Sequence, residues 1–277
     1  MHLSCICSPT LLHSLKFCDD ADAIAFLRSC KRYYGLRSLY TIKQFVMGEQ
    51  FAKFSSFRIT KVDISDVKQL AAMPRTVDKV AFSDCFTGDF TEPLAEGIVY
   101  LSFHSGFNQV LQKRFLPQSL TAVDFGYFFN QDIAPELLPQ NLQYLTLSTK
   151  FDKPINAGDL PSSLRFLRLG WNYNRPIHPG SLPAQLRYLH FGDLFNQPIL
   201  PGTLPHSITE LTFGRCFNQP ILELPESLDD LTFGTNFNQP LHLKCFPNFV
   251  TCVAIGAGFK QSLFSDILCR IGCLQFK

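Results

Sequence analysis

The side chains best suited to ligate metal or attack a carbonyl are scattered along this chain. Ten cysteines stand at positions 5, 7, 18, 30, 85, 216, 245, 252, 269 and 273, and only Cys5-x-Cys7 and Cys269-x3-Cys273 are close pairs. A structural zinc site takes four N or S ligands, supplied by a second pair or by histidines at fixed spacing. Neither pair has such a complement, so no metal site is expected. The seven histidines (His2, His13, His104, His178, His190, His206 and His242) flank no serine or cysteine in a nucleophile motif. No GxxxxGK[ST] occurs, and no GxGxxG follows a strand. The sequence therefore offers no catalytic residue and no cofactor, and the expectation is a non-enzymatic protein. Free thiols in such a chain fit a cytoplasmic or nuclear compartment.

What does recur is FNQP. Its aromatic falls at Phe107, Phe129, Phe151, Tyr173, Phe195, Phe217, Phe237 and Phe259, at intervals of 22 residues except 20 between Phe217 and Phe237. A weaker copy sits at Phe86. A site is used once, whereas a motif at a fixed period is an architectural unit. One residue after the aromatic stand Asn108, Asn130, Asp152, Asn174, Asn196, Asn218 and Asn238, and four after it an aliphatic residue.

The elements that position this motif follow from the same alignment. An LPxxL stretch ("LPQSL", "LPQNL", "LPSSL", "LPAQL", "LPHSI", "LPESL") leads into an apolar alternation such as Leu189/Phe191 or Leu211/Phe213. Period two over so few residues is a half-buried strand. Glycine or serine ends it, and proline keeps the FNxP and LPxx segments out of helix interiors and central strands. One unit cannot close a core, but stacked units pair their strands in parallel and pile Leu, Phe and Ile inside. This accounts for the 28 phenylalanines. An inward ladder of Asn108, Asn130, Asn174, Asn196, Asn218 and Asn238 is expected to satisfy backbone groups of adjacent turns, with Asp152 able only to accept. The two residues missing from the shorter unit fall between Ile221 and Leu224, on the loop side.

Bulk composition agrees. The chain has 277 residues, 46% hydrophobic and 17% charged, with net charge +2. This is globular, with core enough to dispense with disulfides. The near-neutral balance argues against nucleic acid as partner. No run approaches 18 apolar residues, and "MHLSCICSPTLLHSLKF" lacks a basic start and a cleavage site, so neither membrane span nor secretory signal is expected.

The pattern LPxSLxxLxFGxxFNQPI resembles the FNIP repeat, a leucine-rich-repeat-like unit of amoebae and of large viruses infecting them. Residues 94–263 carry it well and 59–93 weakly. The resemblance implies a curved, right-handed LRR-like solenoid of about eight to nine repeats of roughly 22 residues. This mostly-β α/β fold would have a parallel sheet on one face and a helical N-terminal cap. It implies an interaction protein and supplies no catalytic residues.

Two regions are expected: a helical segment over 1–57 and the repeat solenoid over 58–277. "CDDADAIAFLRSCKRYYGL" reads as a helix, with Asp19, Asp20 and Asp22 at its start, Lys31 and Arg32 near its end, and Gly35 as a stop. A second helix is expected from Leu36 to about Met47, aligning Leu39, Ile42 and Val46. The segment is read as a cap that an open solenoid needs. It also resembles the second half of an F-box without its opening LPxE, which would imply a Skp-type adaptor as partner and a substrate receptor of a ubiquitin ligase. The basic run Arg28, Lys31, Arg32, Arg37 and Lys43 reads as a solvated face or as a contact for an acidic partner.

Function should lie in what differs between copies. Residues flanking the inward strand positions point outward. Before the inward residue stand Ala122, Tyr144, Phe166, Tyr188, Glu210, Asp230 and Cys252, and after it Asp124, Thr146, Arg168, His190, Thr212, Thr232 and Ala254. Tyr144, Phe166, Tyr188, Arg168 and His190 thus form an aromatic-basic patch suited to a protein partner, or an outward aromatic stack that stabilises the sheet.

Overall fold

The computed structural model describes residues 77–263 except 85, 87, 89 and 91, residues 265–276, and the stretches 41–42, 46–47, 58–59 and 61–64. The chain divides into two compact units, residues 1–89 with 97–100, and residues 90–96 with 101–277.

In the first unit, β1 (Thr41–Ile42) pairs in parallel with β3 (Arg58–Ile59). The strand β2 (Val46–Met47) pairs with β4 (Lys61–Ile64), and β4 with β5 (Lys79–Phe82). Where the expected helix from Leu36 to Met47 is described, at Thr41–Ile42 and Val46–Met47, these strands correct it. Thr41, Ile42 and Val46 are β-branched, and their restricted χ1 suits a pleated strand better than a helix. The expected first helix and the F-box-like stretch before β1 lie outside the described residues. At the end of β5, Phe82 packs edge-on against Phe86 at 4.8 Å.

The second unit is a β-solenoid. Its strands are β6 (Tyr100–Ser102, of which Leu101 and Ser102 belong to this unit), β7 (Ala122–Asp124), β8 (Tyr144–Thr146), β9 (Phe166–Arg168), β10 (Tyr188–His190), β11 (Glu210–Thr212), β12 (Asp230–Thr232), β13 (Val250–Ile255) and β14 (Ile271–Phe276). From β7 to β14 each pairs in parallel with the next. The register repeats coil by coil, Leu145 on Leu167 on Leu189 on Leu211 on Leu231. All five of these leucines are buried.

The aromatic of each FNQP is the core step behind the strand. Phe107 through Phe237, with Tyr173 in place, are buried. Their rings form a continuous stack with centroids 5.5–6.4 Å apart, extending to Phe259. Within a coil the strand phenylalanine stacks on the same ring, as Phe213 on Phe217 at 4.0 Å. Offset aromatic pairs of this kind add roughly 0.5–1.5 kcal/mol beyond their burial.

The turns are as regular as the strands. In every LPxxL the final residue donates its N–H to the proline carbonyl, as Leu186 to Pro183 at 3.0 Å and Leu228 to Pro225 at 3.2 Å. This is a β-turn that pre-sets the strand start. At the other end of the strand, glycine is required by close approach. A methyl group on Gly192 would fall 1.7 Å from the Gly170 carbonyl oxygen. On the loop side the chain reverses through a left-handed residue, glycine at Gly158, Gly180 and Gly202 but Arg114 and Glu136 in two earlier coils. The two residues missing from the short coil remove this turn: exposed Leu222 and Glu223 alone join Ile221 to Leu224, where Leu200, Pro201, Gly202 and Thr203 stand one coil before.

Candidate functional site

The asparagines do not point into the core. They follow a buried aromatic on the corner of each coil, where Asn196, Asn218 and Asn238 are half-buried and Asn108 and Asn174 exposed. Each side-chain oxygen accepts the backbone N–H of its counterpart one coil on. Asn130 N–H donates to Asn108, Asp152 to Asn130, Asn174 to Asp152, Asn196 to Asn174, Asn218 to Asn196 and Asn238 to Asn218, all at 2.8–3.0 Å. The series ends with Lys260 N–H on Asn238. Only the acceptor is used in this contact, which is why Asp152 fits the column. The glutamine of FNQ adds a second rail, as Gln219 Nε2 donates to the Asn196 carbonyl and Oδ1 at 3.1 and 3.2 Å. At one step of the column, between two successive coils, both partners are substituted together. Arg175 replaces the glutamine, and it contacts the Asp152 carbonyl through Nε at 3.1 Å and Oδ2 through Nη2 at 2.9 Å.

The outward strand face carries the residues that do not repeat. Parallel register sets Tyr144 beside Phe166 beside Tyr188, then Glu210 and Asp230. In the neighbouring row it sets Thr146, Arg168, His190, Thr212 and Thr232. Tyr144 is 51% exposed and Tyr188 39%, while Phe166 is half-buried between them. Ring centroids lie 6.1 Å apart for Tyr144–Phe166, 6.3 Å for Phe166–Tyr188 and 5.4 Å for Phe166–His190. His190 Nε2 lies 3.0 Å from Glu210 Oε1, within ion-pair range but without hydrogen-bond alignment. Arg168 is exposed and has no ion pair among the described residues. The fold thus brings together all five side chains of the expected patch.

Three further features escape a reading of the strand triplets alone. Arg165 and Arg187 are exposed immediately before β9 and β10. The sole tryptophan, Trp171, is 50% exposed just past β9. It lines an open groove of about 340 Å³ with Arg168, Thr149 and Asp193. Their signal was available: Trp171 occupies a position filled by Thr149, Asp193, Arg215 and Thr235 in other coils.

Little in the unit invites covalent chemistry. Cys216, Cys245, Cys269 and Cys273 are thiols outside any disulfide. Burial pushes the Cys245 thiol up, outweighing a backbone contact at His242, and its S–H lies 2.9 Å from the Ile221 carbonyl. A protonated thiol is a poor nucleophile. Among the described residues no group of three His, Cys, Asp or Glu side chains is placed to hold a metal ion. No described helix is long and apolar enough to cross a membrane.

The comparisons agree with this geometry. Among curated proteins none matches. Among solved structures, the crystal structure of CroV588, described as a novel circular LRR protein, is 37% identical and superposes with a TM-score of 0.74. The match covers 79% of this chain and 33% of CroV588, so the chain spans about a third of that protein's length. The FNIP Repeat model matches residues 92–128, 129–172, 173–216 and 217–258. With matches over more than half of its length, the chain belongs to the FNIP repeat family.

Proposed function

We propose that this solenoid is a non-enzymatic protein-interaction module and that its partner docks on the strand face, with Tyr144, Phe166, Tyr188 and Arg168 as anchors and His190 at their edge. One observation carries the reading. In a register that repeats coil after coil, three aromatics and an arginine without an ion pair among the described residues stand together on outward strand positions. Large aromatics and arginine are the residue types that concentrate binding energy at protein interfaces. The competing account is that the aromatics serve only the sheet. Cross-strand pairs contribute roughly 0.2–1 kcal/mol each, so two such pairs leave a deletion variant folded.

The test replaces Tyr144, Phe166, Arg168 and Tyr188 by alanine. The variant is expected to lose no more than about 2 kcal/mol of stability. It is also expected to fail to retain a protein that the parent retains in affinity purification read by mass spectrometry. An identical set of retained proteins would sink the reading.

A further inference from the structure

We propose that the occupant of this face is a short acidic peptide segment gripped by Arg165, Arg168 and Arg187, which rests on the reading of the strand face given above. The three arginines sit on two adjacent coils. Arg168 is in register with His190, and the Arg165 carbonyl accepts the N–H groups of Arg187 and Tyr188 at 2.9 and 3.0 Å. All three are exposed, and none makes an ion pair among the described residues. Guanidinium forks in this state match carboxylates bidentately, and the planar aromatics beside them supply apolar contact. Arginine clusters are a recurring way of recognising acidic motifs.

The next two coils reverse the charge. Glu210, Asp229 and Asp230 follow on β11 and at β12, and Asp229 and Asp230 are exposed without an ion pair among the described residues. Like-charge repulsion there limits the acidic stretch to the β8–β10 part of the face and favours basic residues beyond it. Strand spacing of about 4.8 Å makes β8 to β12 roughly 19 Å, which an extended segment crosses in about six residues. The groove beside Arg168 is lined by Trp171 together with Thr146, Thr149, Asp124 and Asp193, so next to the acidic run it takes an uncharged side chain that can lie against the indole. A single-stranded nucleic acid could stack on the same rings. Its phosphates, however, would meet Glu210, Asp229 and Asp230, so the charge order favours the peptide.

The probe is a fluorescein-labelled peptide of three glutamates, a phenylalanine, a glycine and three lysines, followed by fluorescence anisotropy with the full chain. A control peptide has the same composition with its charges alternating. The block peptide is expected to bind at least about tenfold more tightly than the control, with an affinity that falls as salt rises. The double variant R165E/R187E is expected to abolish this binding, R165Q/R187Q to weaken it, and K260E, on the last coil, to leave it unchanged. Absence of binding to the parent, or equal binding to the arginine variants, overturns the acidic-peptide assignment. In that event the four-alanine variant separates the two proposals. If it still loses its partner, the face remains the docking surface for other chemistry; if it loses nothing, both fall. Displacement of the peptide by an equal concentration of oligouridylate overturns the assignment in favour of nucleic acid.

Discussion

At Asn196 one oxygen does the work of the column: it accepts Asn218 N–H at 2.9 Å and the Gln219 amide at 3.2 Å. Replacing it by leucine removes the acceptor and leaves Asn218 N–H unanswered, while Gln219 keeps its bond to the Asn196 carbonyl, so N196L is expected to lose roughly 1–3 kcal/mol. N196D keeps the acceptor and should lose under about 1 kcal/mol, as the natural Asp152 implies. Chemical denaturation of the three proteins decides this, and equal stability of N196L and the parent would show that the ladder is ornamental. Tyr173 gives the opposite case. Its ring takes a phenylalanine place in the stack, but its hydroxyl is buried without a hydrogen-bond partner among the described residues. Burial first, and Asp152 second, push its ionisation far above the usual tyrosine range. Y173F therefore removes an unsatisfied group and is expected to be as stable as the parent or up to about 1 kcal/mol more so. A lower melting temperature would reveal a partner for the hydroxyl. Neither residue's role could be settled from the repeat alignment. The alignment fixes that Asn recurs, but whether it points in or lies on the corner depends on where the backbone turns.

A coil is a three-residue strand between two turns, and most of it was legible. Alternation such as Leu189/Phe191 located the strands, and proline with its fixed φ located the LPxxL turns. The loop-side turn was not legible as a left-handed one, because Arg114 and Glu136 share with Gly158, Gly180 and Gly202 only a position in the coil. A side chain there costs roughly 1–2 kcal/mol against glycine, less the entropy glycine loses on folding. The Lys113–Glu136 contact at 3.4 Å is exposed and offsets little. E136G is accordingly expected to raise stability by about 0.5–1 kcal/mol, read as a higher urea midpoint. A lower midpoint would mean that the surface ion pair outweighs the backbone strain. The strands β1 and β2 were misread because a three-four spacing of Leu39, Ile42 and Val46 fits a helix, while pairing with β3 and β4 decides for strand. Such pairing is a non-local fact that no short window holds.

In the solenoid each coil touches only its neighbours, so stability is a chain of local interfaces. G192A should show this. Its methyl group collides with the Gly170 carbonyl and wedges the coils of β9 and β10 apart. The expected loss is at least about 2–3 kcal/mol, with hydrogen exchange faster in β9–β11 while β13 keeps its protection. Uniform loss across all strands would show a single cooperative unit instead. The sequence by itself determined the period, the parallel stacking and the identity of the core, because each copy repeats the same apolar positions and stacking is the one way to bury them all. It also marked the residues that break the repeat. Only the tertiary structure decided what those breaks amount to. Parallel register sets Tyr144, Phe166 and Tyr188, 22 residues apart in the chain, in adjacent strands. It also exposes Arg165 and Arg187 at the strand starts and leaves the asparagine oxygens on the coil corners. Side-chain neighbours across coils are set by how the turns close, and that geometry is shared among many residues rather than written in any one of them.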